Sequence, residues 1–121
     1  MKTVLVVDDE ENFVRLYEMV LEAEGYEVRS ADSGEAAVES IQAEMPDLVV
    51  LDIKMTGMDG LETLNEIKKL NRDLPIILST AYSSYKSNFT TWLADAYIVK
   101  SPDMTELKQT IKELLEAECV Q

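Results

Sequence analysis

Five short apolar runs, each followed by a longer stretch with helical spacing, limit the fold of this 121-residue chain more than any other feature. The runs are Thr3–Val7, Glu27–Ala31, Leu48–Leu51, Ile76–Ser79 and Ala96–Val99. Three of them contain VLVV, LVVL and IIL, with no polar residue at every second place. A strand with one wet face would alternate. Runs apolar throughout fit strands covered on both faces, as in a parallel sheet.

The stretches between them carry apolar stripes. Phe13, Leu16, Tyr17, Val20 and Leu21 share one helical face, with Gly25 as the stop. Ala37, Val38 and Ile41 follow Asp32-Ser33, and Leu61, Leu64 and Ile67 form a third stripe. Leu107, Ile111, Leu114 and Leu115 form the last; Asp103 with Glu106 three places on resembles a capping box at its start. Between Ser83 and Trp92 the residues are poor helix formers, although Tyr85, Phe89 and Trp92 keep helical spacing, so a marginal helix is predicted. The predicted order is (βα)5, an α/β doubly wound five-stranded parallel sheet with helices on both faces, forming a single domain over residues 1–121.

Composition removes several function classes. With 24 acids against 11 bases the net charge is −13, so a nucleic acid or an anionic membrane is an unfavourable partner. The chain has no histidine, which excludes Ser-His-Asp and Cys-His catalysis and histidine metal ligands. Its one cysteine, Cys119, cannot form an internal disulfide, and no apolar run approaches the roughly 18–20 residues of a membrane span, so a cytoplasmic location is expected.

In an open parallel sheet, ligands bind beyond the carboxyl ends of the strands. Those ends are where the polar residues fall: Asp8 and Asp9 after the first run, Asp52 after the third, Ser79-Thr80 on the fourth and Lys100 after the fifth. Each alone has an ordinary reading, as a helix cap, a turn former, a strand-end hydroxyl or a solvated charge. Together they place three carboxylates, a hydroxyl and an ammonium at one edge of the sheet. Carboxylates so close repel, at roughly 4 kcal/mol per pair at 4 Å and intermediate dielectric. A hard divalent cation relieves this, and an all-oxygen donor set favours Mg2+ or Mn2+ over zinc. A carboxylate beside such an ion can attack phosphorus, with Lys100 and Thr80 offsetting charge on the phosphoryl oxygens.

The stretches VLVVDDEENFVRLYEMVLEAEGYEV, PDLVVLDIKMTGMDGLETL, PIILSTAY and ADAYIVKSPDMTEL resemble the receiver domain of two-component response regulators over essentially the whole chain. The resemblance implies the flavodoxin-like strand order 2-1-3-4-5. It implies Asp52 as phosphoacceptor, metal binding by Asp8, Asp9, Asp52 and the Lys54 carbonyl, phosphoryl contacts from Thr80 and Lys100, and a Thr80–Tyr97 switch. The implied donor is the phosphohistidine of a sensor histidine kinase or a phosphotransfer protein. The implied product is a switch that catalyses its own phosphotransfer and autodephosphorylation rather than a metabolic enzyme. It signals through the face of the fourth helix, fifth strand and fifth helix to a downstream protein or to an output domain absent from this chain. Thr56, Leu93 and Ser101 depart from the family's usual Pro, Gly and Pro. A haloacid-dehalogenase-type phosphatase would need an acid two places after the nucleophile, which Glu10 alone supplies, and a cap for which the chain has no room. A flavodoxin-like carrier would need a Ser/Thr/Gly-rich phosphate loop after the first strand, where DDEEN stands instead. A degenerate receiver that never accepts phosphate would not need the complete acid, hydroxyl and lysine set.

Overall fold

Strands β1 (Thr3–Val7), β2 (Glu27–Ala31), β3 (Leu48–Asp52), β4 (Ile76–Thr80) and β5 (Ala96–Val99) pair in parallel, in the order β2-β1-β3-β4-β5. The computed structural model describes residues 2–52, 60–80, 94–100 and 103–119. The predicted marginal helix between Ser83 and Trp92 lies outside them. All five residues of the central β3 are buried, whereas the edge strand β2, with sequence EVRSA, is half open to solvent. The order turns back at β1, whose neighbours are β2 on one side and β3 on the other. This topological switch point opens a crevice at the carboxyl ends of β1 and β3.

The described helices are α1 (Glu11–Ala23), α2 (Gly34–Ala43), α3 (Gly60–Leu70) and α4 (Thr105–Cys119). Helix α1 ends at Gly25, whose φ of 94° is a conformation that L side chains rarely adopt. Ser33 caps α2, its hydroxyl accepting from Ala36 N at 3.1 Å. The start of α4 differs from the expected cap at Asp103. The first i to i+4 bond runs from Lys108 N–H to the Met104 carbonyl, and the Asp103 carboxylate accepts from Thr105 N, two places on. A short aspartate reaches a donor two residues ahead most easily when it stands just outside the first turn.

Side chains alternate across the sheet and divide the core in two. Leu5, Val7, Val49, Leu51, Ile76 and Leu78 pack with Ala37 and Ile41 of α2 and Leu64 and Ile67 of α3. Val4, Val6, Leu48, Val50, Ile77 and Ile98 pack with Tyr17 and Leu21 of α1 and Leu107, Ile111 and Leu115 of α4. Among the described residues no helix is long and apolar enough to cross a membrane. Leu5 is fully buried, while Met19 on α1 is 66% exposed. Leu5→Ala should therefore lower the unfolding free energy by about 2–5 kcal/mol, read from urea denaturation. Met19→Ala should change it by less than about 0.5 kcal/mol.

Candidate functional site

The even-numbered face of β1 and β3 does not stop with Val6 and Val50. One step further along each strand brings Asp8 and Asp52 to the same α1/α4 side of the sheet. Ser79, two places after Ile77, and Lys100, two places after Ile98, continue that side on β4 and β5. Alternation alone thus delivers two carboxylates, a hydroxyl and an ammonium to one crevice. Asp8 is 1% and Asp52 4% exposed. Asp8 is held by its own loop: its amide donates to the Ala31 carbonyl at 3.1 Å, and its Oδ1 accepts from Glu10 N at 2.8 Å.

Lys100 is the centre of the group. Its side chain is 3% exposed, and its Nζ lies 2.8 Å from Asp8 Oδ2, 2.7 Å from Glu10 Oε1 and 3.3 Å from Asp52 Oδ2. Asp8 Oδ2 is buried without a hydrogen bond and meets the ammonium as an ion pair. Burial by itself would lower the Lys100 pKa, but the carboxylates of Asp8, Glu10 and Asp52 outweigh it and hold the pKa above the ordinary lysine value. On the α1 side the Phe13 ring centroid is 4.5 Å from Nζ. Behind it, the Tyr17 ring lies 6.1 Å from that of Phe13, and the Tyr17 hydroxyl shares a 2.8 Å hydrogen bond with Ser79 Oγ. Burial, partly offset by that bond and reinforced by Asp8, pushes the Tyr17 phenol up to about 12.

Carboxylate oxygens of Asp8, Glu10 and Asp52 all lie within 4.8 Å of one another. Three carboxylates face one ammonium, so negative charge is in excess. An all-oxygen set of three carboxylates has the chemistry that a hard cation takes. Asp9 is exposed and stands on the wall of an adjoining cleft of about 530 Å³, with Asp8, Glu11, Ser30 and Asp32. Glu10 is the residue that sequence reasoning missed in this role. The available signal was its place in DDEE directly after a strand, but an exposed acid before a helix reads first as a helix-dipole partner. Thr80 ends β4 in register with Val99, and Tyr97 is half-buried against the α2/α3 side of the core. Lys54 and the Thr80 side chain lie outside the described residues, as do residues 81–93 and 101–102.

A family model for the response regulator receiver domain matches residues 4–112. The transcriptional regulatory protein ZraR of Escherichia coli is 37% identical over 114 residues, which cover 93% of this chain and 26% of ZraR. The alkaline phosphatase synthesis regulator PhoP of Bacillus subtilis is 35% identical over 119 residues, 94% of this chain and 48% of PhoP. The chain therefore spans about a quarter of the one relative and half of the other. Among solved structures, the response regulator TrrA of Thermotoga maritima in complex with Mg2+ and BeF is 49% identical, with a TM-score of 0.92 over 95% of this chain and 100% of TrrA. TrrA in complex with the histidine kinase ThkA matches at 0.89 with the same 49% identity, over 95% of this chain and 99% of TrrA.

Two outcomes follow from the buried ammonium and the buried phenol. Lys100→Met leaves the carboxylates uncompensated and should lower the unfolding free energy by about 3–5 kcal/mol in urea titrations, with part of the loss recovered by adding Asp8→Asn. Lys100 and Tyr17 both bind their protons more tightly folded than unfolded. Their contributions are complete below the ordinary values of 10.5 and 10.0 and decline as the pH rises above them. The urea midpoint should fall as the pH rises from about 10 toward 12, and Tyr17→Phe should make that slope shallower.

Proposed function

The chain belongs to the response regulator receiver domain family, and from that premise we propose that Asp52 accepts a phosphoryl group from the phosphohistidine of a sensor histidine kinase or a phosphotransfer protein. The observation that carries the reading is the Lys100 ammonium, held 3.3 Å from Asp52 Oδ2 and braced by Asp8 and Glu10. An Asp52 carboxylate oxygen attacks phosphorus. The P–N bond to the donor imidazole breaks, the nitrogen keeps the bonding pair, and an acyl phosphate forms on Asp52. Water later attacks the same phosphorus, the P–O bond to Asp52 breaks, and inorganic phosphate leaves.

The acid group would hold Mg2+, with Mn2+ as the alternative hard cation. Asp8, Asp9, Asp52 and the Lys54 carbonyl would be its ligands, and Glu10 lies close enough to Asp8 and Asp52 to join them or to orient bound water. The chemistry supplied by a bound Mg2+ is neutralisation of charge on the phosphoryl oxygens. Lys100 would share that work, and Thr80 would donate its hydroxyl to a phosphoryl oxygen. Movement of Thr80 lets Tyr97 turn inward and alters the partner face around β5. TrrA, at 49% identity, has been seen both with Mg2+ and BeF and with a histidine kinase, which supports this donor class and this ion. ZraR and PhoP are transcriptional regulators longer than this chain, which supports an output domain or a separate protein target downstream. The acidic surface disfavours direct contact of this domain with nucleic acid or membrane, and the setting is cytoplasmic.

Intact-mass measurement after incubation with acetyl phosphate and Mg2+ tests the reading. The parent should gain one phosphoryl group, and the gain should be absent in Asp52→Asn and without Mg2+. A parent of unchanged mass, or a modified Asp52→Asn, would overturn it.

A further inference from the structure

We propose that Phe13 is a positioning residue for phosphoryl transfer: the face of its ring holds the Lys100 ammonium over Asp52. This rests on Asp52 being the phosphoacceptor. Among the described residues, three of the four groups around Nζ are carboxylates, those of Asp8, Glu10 and Asp52. The fourth is the Phe13 ring, with its centroid 4.5 Å from Nζ.

The carboxylates cannot be constant partners. A cation bound among Asp8, Glu10 and Asp52 would compete with the ammonium for the same oxygens, and phosphorylation converts an Asp52 oxygen into the bridging oxygen of an acyl phosphate. The ring is open to neither competition, because its attraction for a cation comes from its π-electron quadrupole. Among the described neighbours of Nζ it is the one whose attraction does not depend on a carboxylate that a cation or a phosphoryl group would claim. A long, flexible lysine stem otherwise has many rotamers to lose before it can meet a developing charge.

The ring is itself held. Phe13 lies one helical turn before Tyr17, their centroids are 6.1 Å apart with planes tilted by 44°, and Tyr17 is tied by its hydroxyl to Ser79 of β4. Ser79 pairs in register with Asp52 on one side and Ile98 on the other. Through Tyr17 the ring is thus referenced to the strand that lies between Asp52 and the approach to Lys100. Filling space beside α1 would need only an apolar side chain of similar volume; holding an ammonium needs the aromatic face.

The test compares Phe13→Leu and Phe13→Tyr with the parent and Asp52→Asn, using acetyl phosphate over a range of concentrations with saturating Mg2+. Phe13→Leu should lower the maximal rate on the order of five- to tenfold, with the half-saturating acetyl phosphate concentration little changed. Phe13→Tyr should stay within about twofold of the parent. The Lys100 ε-methylene protons, followed by NMR, should be shifted upfield by the ring in the parent and in Phe13→Tyr, and should return to the ordinary lysine position in Phe13→Leu. The upfield shift should persist in the parent when beryllofluoride and Mg2+ are added. Phe13→Leu matching the parent in rate, Phe13→Tyr failing to restore it, or parent ε-protons at the ordinary position would each overturn the inference. The last measurement needs no variant to fold. A parent that gains no phosphoryl group defeats the functional reading itself, and is distinguished by the Asp52→Asn control.

Discussion

Asp8 and Asp52 are buried beside each other, and that arrangement is tolerable because the Lys100 ammonium lies against both. An isolated buried carboxylate would protonate or drag water inward; two of them would do so sooner. The ammonium, with its side chain only 3% exposed, would be equally costly alone. Neither charge sign can be removed without stranding the other, so the site is a single electrostatic unit built from β1, β3 and β5. Those three strands are non-consecutive in sequence and are brought side by side or one strand apart only by the completed sheet. The unit therefore exists only when the fold does.

The same alternation that fills the core also aims the chemistry. Val4, Val6, Val50, Ile77 and Ile98 face α1 and α4. The next residue of like parity on each strand is Asp8, Asp52, Ser79 or Lys100. A one-residue slip of any strand would turn its polar end to the α2/α3 side and its apolar residues with it, so register is enforced by the whole buried face. Placement of the reactive groups thus draws on core packing rather than on loop geometry. Helix α1 completes the crevice, since Phe13 and Tyr17 lie on its buried stripe and reach the end of the sheet.

The architecture was legible because β1, β3 and β4 each carry an unbroken apolar run, VLVV, LVVL and IIL, a pattern that admits few alternatives at that length. The ends of β1, β3 and β5 pointed to Asp8, Asp52 and Lys100, and the structure brings these three together. Glu10 was not legible in the same way. Its contact with Lys100 joins residues 90 places apart and depends on the path of the loop that Asp8 Oδ1 pins through Glu10 N. The Tyr17–Ser79 bond was hidden for a related reason. Tyr17 sits on a helical stripe where an aromatic reads as core, which it also is, and nothing local says that its hydroxyl finds a partner on β4. The start of α4 shows the limit of capping patterns: Asp103 and Glu106 have capping-box spacing, yet the first helical turn is set by the Met104 carbonyl.

Charge balance connects the resting site to the reaction proposed for it. Among the described residues Asp8, Glu10 and Asp52 are set against Lys100, and the crevice carries an excess of negative charge. A phosphoryl group on Asp52 exchanges one carboxylate charge for a group that carries more, in a place where water is scarce and unbalanced charge is expensive. Lys100 cannot meet this demand by itself, because it is also the counter-ion that keeps Asp8 and Glu10 in place. A second cation beside Lys100 would offset that added charge. The oxygen donors within 4.8 Å of one another are where it would be held. On the proposed reading, Asp8, Glu10 and Asp52 would hold the ion, which would supply screening of their charge, and Lys100 would be left to meet the phosphoryl oxygens. What Lys100 then needs is a partner that does not change with the state of the site, and the face of Phe13 supplies one.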